Sequence, residues 1–460
     1  MTKLDQPDRL RFSLFTSFCP GGPPGALWNH PQAVGFDYLK LDDWVTLSQK
    51  LEQAKFDAIF WADHIGVYDT YQKSWATSVR EAVQFPIADP LLLTAALAGS
   101  TRELGFTFSA NIIQDHPYTF ARKLTTLDHL TGGRIGWNIV TAFQRSAWRN
   151  MGHDDVGEHK LRYERAEEFV TVLYKLLEGS WEDDAVIRDL ERRVYADPKK
   201  VHDINHEGKY YRVPGIHQNE PSPQRVPVLF QAGTSEDGRQ FATRNAEAIF
   251  FWPQNVQGAR AVVDNMTARL NSSGRSPGDM HYFIHTNFVV GSTEAEARRK
   301  DEEALEYLSS ETNLAFMSGT MGADLAEIEL DSPVGDFDTN AVQGVAKALA
   351  EAAPDKSWTF REVVVALTRN RIVGGPESIA DQLTEWRDAG VTGVNVGSIT
   401  GAWDINDFAD YVAPVLQERG LMQKEYAAGT LREKMFAGTA SASGPRLNER
   451  HPAASFRQHR

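Results

Sequence analysis

Cysteine is almost absent from this chain of 460 residues; the single one is Cys19. No internal disulfide is possible, and nothing in the thiol content points to an oxidising compartment. No apolar run is long enough to span a bilayer. The first residues, MTKLDQPDRLRF, carry no apolar signal core, so a cytoplasmic protein is expected. Basic residues are outnumbered, 48 Lys and Arg against 62 Asp and Glu, for a formal net charge of −14. That balance argues against nucleic acid or an anionic membrane as the main partner, because both need clustered cations. No repeat of 20–50 residues is visible. A Gly-x-Gly-x-x-Gly turn after the first strand, which a doubly wound open sheet would want, is missing; CPGGPPG stands there instead. His153, His159 and the HDD cluster at 153–155 have no accompanying metal-binding spacing, so no metal site is expected.

The hydrophobic share of 42% and charged share of 24% are ordinary for a folded globular chain. Residues 104–141 organise the rest. LGFTFSAN is a short apolar run, too short for a helix. HPYTFARKLTTLDHL then places Phe120, Leu124, Leu127 and Leu130 at helical spacing. Gly132 and Gly133 stop that helix, and IGWNIVT is a second strand. Strand, crossover helix and strand make a parallel βαβ unit. Strands are expected to start near residues 10, 56, 104, 134, 227, 247, 280 and 393, with helices between nearly all of them. Eight such units predict an α/β fold, a closed (β/α)8 TIM barrel. Long insertions are expected near 64–88, 180–226 and 311–370, and Asp89 with Pro90 marks a helix start. The tail from Leu421 has seven Lys and Arg against three Asp and Glu. Its last part, 438–460, reads as loosely ordered when alone.

Barrel chemistry sits at the carboxyl ends of the strands. Those ends carry Asp63, Asn111, Asn138, Thr141, the QAGTS turn with Gly233, Thr234 and Ser235, then Asn395 and Ser398. The turn between a strand and a helix can bind a phosphate on free backbone N–H groups, or can be a plain cap. Asp63 is either an orienting carboxylate or an N-cap. Asn138, between Trp137 and Ile139, faces opposite its neighbours and into the barrel, where it must bond to protein or ligand. Tyr163 could donate its hydroxyl to a phosphate but reads as core packing, and Cys19 could be a nucleophile but reads as a small wall residue. Arg80, Arg145 and Arg149 could meet an anion or form surface ion pairs.

FDAIFWAD, DPLLLTAALA, LDHLTGGRIGWNIVT, RYERAEEF, ADPKKVHDINHEGKYYRVPG and PSPQRVPVLFQAGTSEDGRQFA carry a resemblance. Together with VAPVLQERGLMQKEYAAGTLREKMF, they resemble the bacterial-luciferase-like two-component flavin-dependent monooxygenases. That group includes the nitrilotriacetate, dibenzothiophene-sulfone and long-chain alkane enzymes. The resemblance runs from about residue 10 to 437 and implies one luciferase-like barrel domain over 1–437 followed by the tail. It further implies that Asp63 and Asn111 line a flavin pocket, and that Asn138 and Thr141 flank the ring where O2 reacts. Asn138, Asn111 and Thr141 are then the catalytic candidates. Tyr163, Gly233, Thr234 and Ser235 would hold the FMN phosphate. VYDTYQKSWATSVREAVQFPIADP resembles the alkane branch, with Tyr68 and Gln84 as substrate contacts alongside Cys19 and Phe143. That branch has histidines in the loop after the first strand and just after the fourth. Here the CPGGPPG loop and Phe143 stand there, which makes the pocket less polar.

The resemblance implies an FMNH2-dependent oxidoreductase that uses O2 on a small organic substrate. A separate NAD(P)H:flavin reductase would supply the FMNH2, in keeping with the missing nicotinamide fingerprint. Relatives suggest a homo-oligomer, dimer or tetramer. Two other functions remain in play: a deazaflavin-dependent oxidoreductase on the same barrel, and a non-catalytic flavin-binding protein.

Overall fold

The computed structural model describes residues 9–21, 27–233, 235–253, 255–327, 329, 331–333, 358–359, 361–362, 371–439, 441–442 and 444–458. Among the described residues there are thirteen strands. They are β1 (Arg11–Thr16), β2 (Ala58–Trp61), β3 (Gly105–Asn111), β4 (Ile135–Val140), β5 (Val186–Asp189), β6 (Val194–Ala196) and β7 (His206–Glu207). After them come β8 (Arg212–Val213), β9 (Val228–Gln231), β10 (Ala248–Phe251), β11 (His281–Val290), β12 (Arg371–Gly374) and β13 (Gly393–Gly397). Parallel pairing runs β10-β9-β4-β3-β2-β1-β13-β11, and a β10–β11 pairing closes the ring. The result is an eight-stranded parallel barrel surrounded by helices. All eight expected strands are present.

Period-two alternation sorts the side chains. Phe106, Phe108, Trp137 and Ile139 face outward and pack under the helices. Phe15, Phe60, Val228, Phe230, Phe250 and Phe283 face the axis as a separate cluster. Each buried Phe contributes roughly 1.5–3 kcal/mol relative to exposure. The helix Pro117–Thr131 ends where Gly132 takes φ 67°. In that left-handed conformation glycine has no Cβ to clash. Asp89 caps the helix Pro90–Leu97 as expected, its Oδ1 accepting from Leu91 N at 2.8 Å.

The helix His159–Tyr174 carries Tyr163 inside it. The structure departs from the sequence reading at an added strand and in the tail. β12 was not anticipated; its four residues extend the sheet beside the end of β11. Only the helix Ser310–Met321 and a few further residues of the expected 311–370 insertion fall within the described residues.

The tail is not loose. The helix Leu431–Phe436 plugs the amino end of the barrel, with Leu431, Met435 and Phe436 joining the axial aromatic cluster. Beyond it, Leu447, His451, Ala453 and Ala454 are buried. His451 Nε2 lies 2.9 Å from Asn245 O, and Arg457 Nε donates to Glu178 Oε2 at 2.9 Å. Ser, Gly, Pro and Arg look disordered by composition. They dock here because buried carboxylates, Glu178 and Asp279, wait for the arginines.

Candidate active site at the barrel mouth

The carboxyl end of β9 runs through Gln231, Ala232 and Gly233 into the helix Glu236–Asn245. Ser235 is its N-cap, with Oγ accepting from Gly238 N at 3.1 Å. Tyr163 reaches this turn from the neighbouring helix. Its hydroxyl accepts from Gln231 Nε2 at 3.3 Å and also meets the side chains of Ser235 and Thr141. Burial raises the Tyr163 pKa, so the hydroxyl keeps its proton as a donor. His159 Nε2 lies 3.3 Å from Ser235 Oγ while its Nδ1 lies 2.8 Å from Asp237. A Cβ on Gly233 would stand 2.8 Å from the Tyr163 hydroxyl and 2.9 Å from Gly238 Cα. The backbone therefore leaves its space only because glycine is there. Thr234 lies outside the described residues. Hydroxyls, an imidazole, a glycine and a helix N-terminus form a donor set that fits a phosphate.

Further round the rim, Asn138 is buried with its Nδ2 donating to Ser109 Oγ at 2.9 Å. Its Oδ1 is buried and meets no donor. Gln231 Oε1, Asn287 Oδ1 and both amide atoms of Asn395 are likewise buried without partners. Asn395 lies in register between Ser13 and His285. Leaving such groups unpaired costs about 1–3 kcal/mol each, so they are kept for a reason. The isoalloxazine edge alternates N–H and C=O groups, and amides satisfy both. The residues at this mouth therefore fit FMN. Asn111 is buried, with Oδ1 accepting from Ile113 N at 3.3 Å. Asp63 caps no helix among the described residues; burial first, then Asp89, pushes its pKa well above the usual carboxylate range.

The four substrate candidates also converge. Tyr68 donates to Gln84 Oε1 at 2.9 Å, and Gln84 Nε2 donates to Ser17 Oγ at 3.2 Å. Burial raises the Tyr68 pKa, with Cys19 close enough to add to the effect. Phe143 lies 6.5 Å from the Tyr68 ring and Phe316, from Ser310–Met321, lies 5.3 Å from it. The 64–88 segment and the later insertion thus build one wall together. Arg80 is engaged by Glu81 and Glu311, and Arg145 by Asp155 at 3.0 Å; Arg149 is exposed. Ser398 is taken up by the turn at Gly401 and Asp404.

The Luciferase-like monooxygenase family model matches residues 10–393. The chain belongs to that family. It is 39% identical to the dimethyl-sulfide monooxygenase of Hyphomicrobium sulfonivorans, over 98% of this chain and 94% of that one. It is 40% identical to the long-chain alkane monooxygenase of Geobacillus thermodenitrificans, over 98% of each. The crystal structure of DmoA from Hyphomicrobium sulfonivorans superposes with a TM-score of 0.89 over 98% of this chain and 96% of that one. As a luciferase-like monooxygenase, the protein is an oxidoreductase that works with FMNH2 and O2. The deazaflavin and storage alternatives lose ground accordingly. No helix among the described residues is long and apolar enough to cross a membrane.

Several mouth residues escaped the sequence reading. In the sequence Gln231 stands out only as part of the QAGTS turn, and His64 and His285 belong to no motif. The inward-facing row Phe283, His285, Asn287 along β11 was the signal for His285.

Gly233→Val is expected to raise the apparent KM for FMNH2 by about 10–100-fold, or roughly 1.4–2.8 kcal/mol. Steady-state oxygen uptake at varied FMNH2 checks this, with circular dichroism as the control for folding. An unchanged KM would remove Gly233 from the phosphate site.

Proposed function

We propose that this chain is the oxygenase component of a two-component system, acting on a small, uncharged organic substrate. FMNH2 comes from a separate NAD(P)H:flavin reductase. In this reading Tyr163, Gly233, Thr234 and Ser235 hold the FMN phosphate, and Thr141 supports them. Asp63, Asn111 and Asn138 hold the ring. When bound, FMNH2 supplies the electrons that activate O2. Asn138, Asn111 and Thr141 face the reacting region and orient groups there. Cys19, Tyr68, Gln84 and Phe143 form the substrate wall and keep bulk water away. The proposal includes one barrel domain through residue 437 and a homo-oligomer, dimer or tetramer, which rest on the resemblance, and a cytoplasmic location, which rests on the thiol content and the composition of the first residues.

The observation carrying the substrate class is that wall. Its candidates are neutral, and the arginines considered for anion binding, Arg80 and Arg145, are engaged by carboxylates. Coupled oxygen uptake with FMNH2 tests it across dimethyl sulfide, a medium-chain alkane, a sulfone and nitrilotriacetate. Product is expected from a neutral compound and none from the tricarboxylate. Turnover of nitrilotriacetate alone would overturn the assignment.

A further inference from the structure

His64 follows Asp63 directly, at the tip of β2, and belongs to none of the roles given above. Its Nδ1 lies 2.9 Å from Gly66 O. A carbonyl can only accept, so Nδ1 carries the proton. Nε2, across the ring from that contact, is then a lone-pair acceptor. It is buried and meets no donor. The ring packs edge-on against Tyr68 with centroids 5.2 Å apart, which sets it in the same wall.

The surroundings make this tautomer rigid. Gly66, whose carbonyl fixes it, is tightly boxed: a Cβ there would lie 2.7 Å from Gln144 Oε1 and 2.7 Å from Ser146 Oγ. Ser146 Oγ also accepts from Val67 N at 2.8 Å and donates to Val67 O at 2.7 Å. The loop therefore cannot easily swing to let Nδ1 release its proton. Burial holds the ring neutral, with its pKa lowered to about 4. Two polar groups of the wall are occupied with each other and a neighbour, Tyr68 with Gln84 and Gln84 with Ser17, while Gln144 Nε2, on the residue that boxes Gly66, is a second buried group without a partner. That leaves Nε2 as an acceptor without work inside the wall.

We propose that His64 determines specificity: its Nε2 accepts a hydrogen bond from a hydroxyl or N–H group of the substrate. The preferred substrate is then a neutral molecule that joins an apolar or thioether part to one hydrogen-bond donor. This rests on the neutral-substrate reading of the same site. A site built around a buried acceptor penalises an analogue lacking the donor, because the acceptor stays unpaired.

The test compares 2-(methylthio)ethanol with ethyl methyl sulfide, using the full chain, FMNH2 and a flavin reductase. Wild type is expected to favour the hydroxylated sulfide at least about tenfold in kcat/KM, mostly through KM. His64→Phe, which keeps a flat ring against Tyr68, is expected to abolish that ratio while still oxidising ethyl methyl sulfide. The same variant loses an unpaired buried acceptor but also the Nδ1–H donated to Gly66 O, so its melting temperature is expected to move little. An equal ratio in wild type and His64→Phe overturns the proposal. If His64→Phe fails to fold, His64→Leu, which likewise offers no acceptor, takes its place, and a folded His64→Leu that keeps the wild-type ratio overturns the proposal. If neither sulfide is oxidised and nitrilotriacetate is, the neutral-substrate reading itself fails, and this inference with it.

Discussion

Asn138→Ala is expected to lower product formation by about 10²–10³-fold while the barrel stays folded. The side chain is buried at the mouth, anchored by Nδ2 on Ser109 Oγ at 2.9 Å, with Oδ1 free of protein donors. That arrangement fixes an acceptor without using it, which is how a preorganised site is built. Removing it deletes one hydrogen bond worth roughly 0.5–1.5 kcal/mol, and also an unpaired acceptor costing about 1–3 kcal/mol. The two nearly offset, so the urea midpoint is expected to move little. Oxygen uptake, product and hydrogen peroxide should be measured together. Uptake that continues with peroxide in place of product would mean Asn138 guides the oxygen transfer. Wild-type product yield would rule the role out.

Arg432→Ala is the change expected to cost the most stability, about 3–5 kcal/mol. Arg432 sits on the plug helix and is almost fully buried. Nε donates to Glu247 Oε1 at 2.7 Å, and Nη2 to Glu247 Oε2 at 2.9 Å, to Pro227 O at 2.9 Å and to Val226 O at 3.0 Å. Nη1 donates to Pro445 O at 2.6 Å. One guanidinium thereby ties the tail to the starts of β9 and β10. Alanine would leave Glu247 charged, buried and short of its partner. Removing both charges, as Arg432→Met with Glu247→Gln, is expected to recover part of the loss. Urea unfolding of wild type and the two variants measures this. An Arg432→Ala midpoint within error of wild type would show that the plug is not held by this pair. Activity of the folded fraction should persist, because the pair lies at the opposite end of the barrel from the mouth.

Some features were legible because they are local. Phe120, Leu124 and Leu127 repeat at helical spacing and are buried under one helix. Asp89-Pro90 and Gly132 are start and stop signals that act within a turn of the chain. The inward direction of Asn138 follows from its place between two outward neighbours. Its orphaned Oδ1 does not, since that depends on Ser109, a residue of the adjacent strand.

By itself, then, the order of residues decided the element sequence, the parallel barrel and the short row of polar residues at the strand tips. Periodicity and caps are properties of neighbours in the chain. Only the tertiary structure decided that Tyr163 meets Ser235 and Gln231, that Tyr68, Gln84 and Ser17 form a chain, and that His64 keeps a free acceptor. It also decided that a tail of serines, glycines and arginines is ordered. Each of these rests on partners brought together by closure of the barrel, from segments up to 279 positions apart for Arg457 and Glu178. Composition and spacing have no means of pairing such groups.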